Sequence, residues 1–259
     1  MRIKLSLRPA APNPRVPINY AYPLSAAIYK ILRQASPAYA DFLHQKGYEA
    51  PSGRLLKLFT FSKLWIPGVR RHGTTLTGRE GLWHLQIGSP LEEEFVQHFV
   101  LGLFESSEVA IGGQGVHAVF RVELVEALPM PAFSDRMRFK CLSPITASTM
   151  RESDGRAKTY YYRPGDAGLS EALRQNLLQK YATIHGQPPT GDRLRFRLEA
   201  TDRPKSRLIK IKEGTPQETD VPCFESYFTL EGSPELMRVA WECGLGEHNS
   251  QGFGMVEAV

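Results

Sequence analysis

Cysteine is scarce: the 259 residues contain three, Cys141, Cys223 and Cys243, far apart and without a C-x-x-C pair. That pattern excludes a zinc knuckle and a disulfide framework and predicts free, buried thiols. No apolar run approaches the roughly 20 residues that cross a bilayer. The opening MRIKLSLRPAAPNPR also lacks the apolar core and cleavage site of a signal peptide. A cytoplasmic protein with no membrane partner is therefore expected. Low-complexity tracts and short repeats are absent too, which argues against a solenoid. Converging carboxylates for a two-metal centre are not evident. Successive residues of the Glu92-Glu93-Glu94 run would point about 100° apart on a helix, so a solvated face near a helix N-terminus explains the run better. Neither a metal nor a cofactor is expected.

What is present is an ordinary globular composition, 42% hydrophobic and 23% charged, in a chain long enough for two domains of about 130 residues. RIKLSL alternates as a strand, and PLSAAIYKILRQ spaces Leu24, Ala27, Ile28, Ile31 and Leu32 as a helix. Ser36-Pro37 caps a second helix, PAYADFLHQK, which Gly47 ends. Extended stretches KLFTFSKLW and WHLQIGS, a helix PLEEEFVQHFVLGLF and a strand VFRVELVEAL complete a β-α-β-β-α-β order. The proline pair in LPMPAF, 128–133, reads as a linker, placing the boundary between 1–129 and 130–259. Beyond it RMRFKCLS, the helix LSEALRQNLLQKYATI, two basic strands with CFESYFTLEG, the capped helix ELMRVAWECG and GFGMVEAV repeat the same order. An α+β class follows.

Charge is modestly positive, net +5, and concentrated: residues 193–212, RLRFRLEATDRPKSRLIKIK, hold eight basic side chains against Glu199 and Asp202. In an extended chain Arg193, Arg195 and Arg197 share one face and Leu194, Phe196 and Leu198 the other. Arg207, Lys210 and Lys212 continue the pattern after the turn-like TDRPKS, predicting a basic hairpin suited to a polyanion. A solvated strand face accounts for this segment equally well. Tyr160, Tyr161 and Tyr162 offer rings that either stack on bases or pack.

The C-terminal GLGEHNSQGFG, 244–254, follows a helix and precedes a strand. Dinucleotide turns and P-loops run from strand to helix N-terminus, so this is not one of them. A C-cap explains Gly244 but not Gly246, Gly252 and Gly254. Glycine is kept where φ is positive or another molecule approaches the main chain. The two G-x-G pairs, with Leu245 and Phe253 as anchors, fit a loop laid against a phosphate backbone.

That G-L-G, five residues, G-F-G arrangement resembles the glycine-rich loop of the repeat-associated RNA-binding superfamily of CRISPR systems. VPINYAYPLSAAIY, FLH, KLFTFSKL and LSPITAST resemble, within it, the family of repeat-processing CRISPR endoribonucleases. The resemblance spans nearly the whole chain and implies two tandem ferredoxin-like domains. It implies catalysis by Tyr29, His44 and Lys57, and RNA contacts from the loop glycines, His248 and Asn249 and from the basic strands. It further implies metal-independent cleavage of precursor repeat RNA by the 2′-hydroxyl, leaving a 2′,3′-cyclic phosphate and a 5′-hydroxyl. Other CRISPR-associated subunits and a second copy of the chain are the added partners. The alternative is a subunit that grips RNA without cutting. Read without the family, Tyr29 packs at a helix margin, His44 is a lone structural histidine and Lys57 an exposed edge-strand lysine. His72-Gly73-Thr74 and His248-Asn249-Ser250 also spell the paired H-x-[ST] of phosphoesterases, but both sit among polar neighbours rather than in apolar strands.

Overall fold

The computed structural model describes residues 1–113, 115–153, 155–199 and 202–259. The first half is built on a five-stranded sheet in the order Thr60–Phe61, Trp83–Gly88, Arg2–Pro9, Val116–Leu128, Glu108–Gly113, with every pair antiparallel. Ile3, Leu5 and Leu7 alternate inward with Leu85, Ile87 and Phe120, all buried. They pack under α1 (Ala21–Ala35), whose buried Leu24, Ile28, Ile31 and Leu32 follow the helical spacing. Helix α2 (Pro37–Gln45) starts where expected: Ser36 accepts the Tyr39 amide at 3.3 Å, and Pro37 fills the first turn. Helix α3 (Gln97–Ser106) is preceded by a π turn over Glu92–Val96, so the 90–104 helix is not uniform.

The second half has the order Leu194–Leu198, Tyr227–Gly232, Arg136–Cys141, Val256–Ala258, again antiparallel. Helices α4 (Leu169–His185) and α5 (Pro234–Cys243) pack on it through Leu173, Leu177, Leu236, Met237 and Ala240. In both halves the strands of the β-α-β-β-α-β unit lie 2-3-1-4 across the sheet, the ferredoxin-like arrangement. Two hairpins are inserted in the second half: Ser148–Ser153 with Arg156–Tyr161, and Lys205–Ile211 with Thr219–Glu225.

Four expectations are corrected. KLFTFSKLW is not one strand: Leu58 adopts φ 52°, Thr60–Phe61 and the Ser62 amide bond the neighbouring strand, and the chain touches it again by a bridge at Trp65. Glu108–Gly113, unforeseen, pairs with the residues that follow it as a sheet edge. CFESYFTLEG divides at Ser226, whose carbonyl takes the Cys141 amide at 3.2 Å. The basic segment is not a hairpin: Leu194–Leu198 pairs with Tyr227–Gly232, whereas Lys205–Ile211 pairs with Thr219–Glu225. Apolar Leu194 and Phe196 claim the central sheet for the first strand, and Val221 and Cys223 carry the second against Phe253.

Arg2, 1% exposed, joins the halves. Its guanidinium donates to the carbonyls of Trp241 and Val256 and lies 4.1 Å over the Trp241 ring. The three cysteines are free, Cys223 and Cys243 buried and Cys141 half-buried. Among the described residues no helix is long and apolar enough to cross a membrane.

Candidate active site

Three elements of the first half converge on one cleft. Tyr29 leaves the apolar stripe of α1 one position after Ile28 and is half-buried. His44 stands exposed in the last turn of α2. The rings of Tyr29 and His44 meet edge to face, 5.3 Å between centroids, and Tyr29 rests on Phe59 at 5.7 Å. Lys57 arrives by a two-residue ribbon, Tyr48–Glu49 with Leu55–Leu56, just before the left-handed Leu58. That kink takes Lys57 off any edge strand, and its Nζ donates to the His44 carbonyl at 3.0 Å. Together with Tyr22, Lys30, Lys212, Ser250 and Gln251, the three line a cleft of about 510 Å³.

Burial raises the Tyr29 phenol above its ordinary range, with Ser250 pulling partly the other way, so the hydroxyl keeps its proton at neutral pH. Burial also lowers the Lys57 ammonium. A cavity of about 270 Å³ adjoins the cleft, sharing Lys57, Ser250 and Gln251 and adding Arg54, Asn176, His248 and Asn249. A third, of about 450 Å³, shares Arg54, Leu56, Asn176 and Glu247 with the second. The cavities form a groove along the boundary between the halves.

Residues 244–254 form the cleft's other wall. Leu245 and Phe253 are fully buried anchors. The Leu245 amide donates to the Gly254 carbonyl at 2.8 Å, the Glu247 amide to Thr146 at 2.8 Å and the Gly254 amide to Pro144 at 2.7 Å. From the first half, Ser25 Oγ donates to the Ser250 carbonyl at 2.7 Å and Thr60 Oγ1 to Phe253 at 3.0 Å. All four loop glycines have positive φ, between 76° and 90°. A Cβ on Gly246 would lie 2.2 Å from the Thr146 carbonyl oxygen, and one on Gly254 2.1 Å from that of Leu245. On Gly244 it would meet the Asn249 amide at 2.5 Å, and on Gly252 the Phe61 ring at 2.9 Å. The reason for these glycines is thereby corrected: the space a side chain would take is filled by the protein itself, not left open for a ligand.

Residues 15–123 match the family model described as CRISPR-associated protein Cas6, N-terminal, and residues 128–258 match CRISPR associated protein Cas6, C-terminal. The chain belongs to the Cas6 family. It is 34% identical to CRISPR-associated endoribonuclease Cas6 1 of Methanocaldococcus jannaschii, over 93% of this chain and 86% of that one. A second relative, the putative CRISPR-associated endoribonuclease-like protein Cas6 of Pyrococcus furiosus, is 28% identical over 100% of this chain and 99% of its own. A solved structure titled CRISPR associated protein Cas6 superposes with a TM-score of 0.77 at 32% identity, covering 100% of this chain and 99% of that one.

Within this Cas6 chain the strand arginines do not reach the cleft. Arg193, Arg195 and Arg197 are exposed on the second sheet, where Arg197 pairs with Glu231 at 2.9 Å. Arg193 and Arg195 form no ion pair among the described residues. Arg207 pairs with Glu225 at 3.6 Å, and Lys210 with Glu218 at 2.5 Å and Asp220 at 3.3 Å. Lys212 differs: the hairpin turn beyond Ile211 folds over α1, with Asn19 Nδ2 on Glu213 at 2.9 Å, and delivers Lys212 to the cleft. Arg151 lies 3.4 Å over the Tyr160 ring and 5.9 Å from that of Tyr162, so the face a base would use already holds a guanidinium. His72 stands exposed on the short strand Arg70–His72, while His248 bonds Gln251 within the loop at 2.9 Å. Among the described residues no three His, Cys, Asp or Glu gather into a metal-binding group.

Sequence reading missed Lys180. It is 3% exposed, and its Nζ donates to the carbonyls of Gly244 and Gly246 and to Asn249 Oδ1 at 2.7, 2.9 and 2.7 Å. A signal existed, because Lys180 lies seven residues after Leu173, within about 20° of it on a helix. A lysine in the middle of an apolar stripe is conspicuous.

Proposed function

We propose that the chain cuts precursor CRISPR repeat RNA in the Tyr29–His44–Lys57 cleft, by attack of the 2′-hydroxyl on the adjacent phosphate and with no metal required. One observation carries the reading: a phenol, an imidazole and an ammonium from three separate elements share one groove whose far wall is the glycine-rich loop. RNA brings its own nucleophile, so the protein must move two protons and stabilise charge. His44 serves a proton step, which is worth roughly 10²- to 10⁴-fold. Tyr29, kept protonated by burial, donates to the 2′-oxygen or a phosphate oxygen. Lys57 and Lys212 supply positive charge as the five-coordinate phosphorus gains negative charge.

In this reading residues 1–129 supply the chemistry and 130–259 the loop and the groove's second bank, in the cytoplasm. Other CRISPR-associated subunits and a second copy are candidate partners, testable by sedimentation with and without RNA. The competing reading, a subunit that holds RNA uncut, draws on the relative named endoribonuclease-like.

Incubation with cognate repeat RNA in EDTA separates the readings. The expected 5′ fragment ends in a 2′,3′-cyclic phosphate or its hydrolysed form, and the 3′ fragment in a 5′-hydroxyl. A single 2′-deoxy nucleotide upstream of the cut should abolish cleavage while RNA still binds. Magnesium-restored activity after EDTA would remove the metal-free mechanism. Intact RNA in every condition would leave the binding subunit.

A further inference from the structure

Helix α4 faces the second core with Leu169, Leu173 and Leu177, at most 2% exposed, and its next position on that face is Lys180. An ammonium in such a place loses its hydration, and isolated buried charges are strongly disfavoured. Here three N–H protons meet three oxygens, all from the glycine-rich loop. Lys180 forms no ion pair among the described residues, so the loop alone satisfies it. A leucine would serve packing; the three aimed bonds serve the loop's shape.

The bonds continue toward the cleft. Asn249, gripped through Oδ1, passes Nδ2 to the Phe253 carbonyl at 3.1 Å and opens the short 3₁₀ turn Asn249–Gln251. The Ser250 carbonyl takes Ser25 Oγ, one helical turn before Tyr29 on α1, and Ser250 acts on the Tyr29 hydroxyl. Ser250 and Gln251 line the same cleft as His44 and Lys57.

We propose that Lys180 is the positioning residue of this site: by clamping Gly244, Gly246 and Asn249 from within, it holds Ser250 and Gln251 against Tyr29. The assignment rests on the reading of the cleft as the place where RNA is cut. Lys180 touches no reacting atom; it acts through the loop.

The experiment uses the full chain as wild type, Lys180→Met, Lys180→Ala and His44→Ala, with cognate repeat RNA in single turnover. Misplacement by about 1 Å costs on the order of 100-fold, so Lys180→Met should lose about that in rate at saturating RNA. Affinity for the 2′-deoxy repeat should move less than about threefold, because the groove's contacts persist. Propylammonium should restore Lys180→Ala activity roughly tenfold or more, and tetramethylammonium, which has no N–H, should not. If Lys180→Met does not fold, Asn249→Ala removes one acceptor of the clamp and should show the same rate loss at saturating RNA. Wild-type rates in the soluble lysine variant or in Asn249→Ala overturn the proposal, as does equal loss of rate and affinity without amine rescue. An intact substrate with wild type, or an active His44→Ala, overturns the cleft reading itself and the Lys180 assignment with it. A cutting wild type, a dead His44→Ala and an unimpaired Lys180→Met sink the Lys180 assignment alone.

Discussion

The two halves share a strand order, and among their differences the junction between the last helix and the last strand is the one that bears on the groove. In the first half α3 ends at Ser107, φ 52°, and the chain makes the edge strand Glu108–Gly113, whose backbone groups pair with the strand beside it. In the second half α5 runs into residues 244–254, which pair with no strand and borrow their partners from elsewhere. Thr60 and Ser25 come from the first half and Lys180 from α4. One topology therefore accommodates both a self-sufficient edge and a loop shaped from outside. The second kind takes its shape from side chains that themselves line the groove, Ser25 in the cleft and Lys180 in the cavity beside it.

If chemistry resides in the first half and shape in the second, His44→Ala should have the largest effect. The cleavage rate should fall by about 10²- to 10⁴-fold, with RNA affinity and melting temperature nearly unchanged; a parallel loss of affinity would erase the division between the halves.

Next comes a pair of glycines. Gly246 and Gly214 both have positive φ, 80° and 77°, but a Cβ on Gly246 meets Thr146 whereas one on Gly214 meets nothing. Gly214→Ala should cost about 1–2 kcal/mol of left-handed strain, and Gly246→Ala more, read as melting temperature. Equal losses would mean that the loop is not wedged.

A smaller effect concerns pH. Burial brings the Lys180 ammonium from 10.5 to about 8. Between these values the unfolded chain holds a proton that the native state lacks, so native stability rises with pH there. The unfolding free energy of wild type minus that of Lys180→Met should be flat below pH 8. Above it the difference should climb, approaching about 1.4 kcal/mol per pH unit. The buried thiols, pushed up to about 12 for Cys223 and about 11 for Cys243, act in the opposite direction in both proteins and largely cancel. A flat difference to pH 10 contradicts a depressed lysine.

The smallest expected effect distinguishes a cation held only by a neutral amide, Lys212 on Gln217 Oε1 at 2.5 Å, from one held by a carboxylate. Lys212→Ala should reduce the salt slope of RNA binding by about one unit, and Arg197→Ala, already paired with Glu231, by less. Equal slopes would put the sheet face and the cleft on the same RNA path.

The parts of this fold legible in sequence are those where one side chain pattern has one meaning. Leu24 to Leu32 at helical spacing, Ser36-Pro37 and the capped ELMRVAWECG are of that kind, and the structure has α1, α2 and α5 where they indicate. The illegible parts depend on partners distant in the chain. Nothing local to Arg195 or Arg207 tells that one strand will pair with Thr229 and its neighbours and the other with Cys223. Leu58 turns left-handed without a glycine to announce it. For the candidate site, Tyr29, His44 and Lys57 came from family likeness; no spacing rule joins residues on two helices and a ribbon. The four glycines announced positive φ, but their reason lay in Thr146, Leu245, Asn249 and Phe61.

Arg2 has a further consequence for how the molecule is made. Its guanidinium is buried only because the carbonyls of Trp241 and Val256 receive it, 239 and 254 positions later. The cation of the first strand must therefore stay hydrated until the end of α5 and the strand Val256–Ala258 have docked beside it. The seam between the halves is thus tied by contacts far apart in the sequence, and the groove along it depends on that strand being in place.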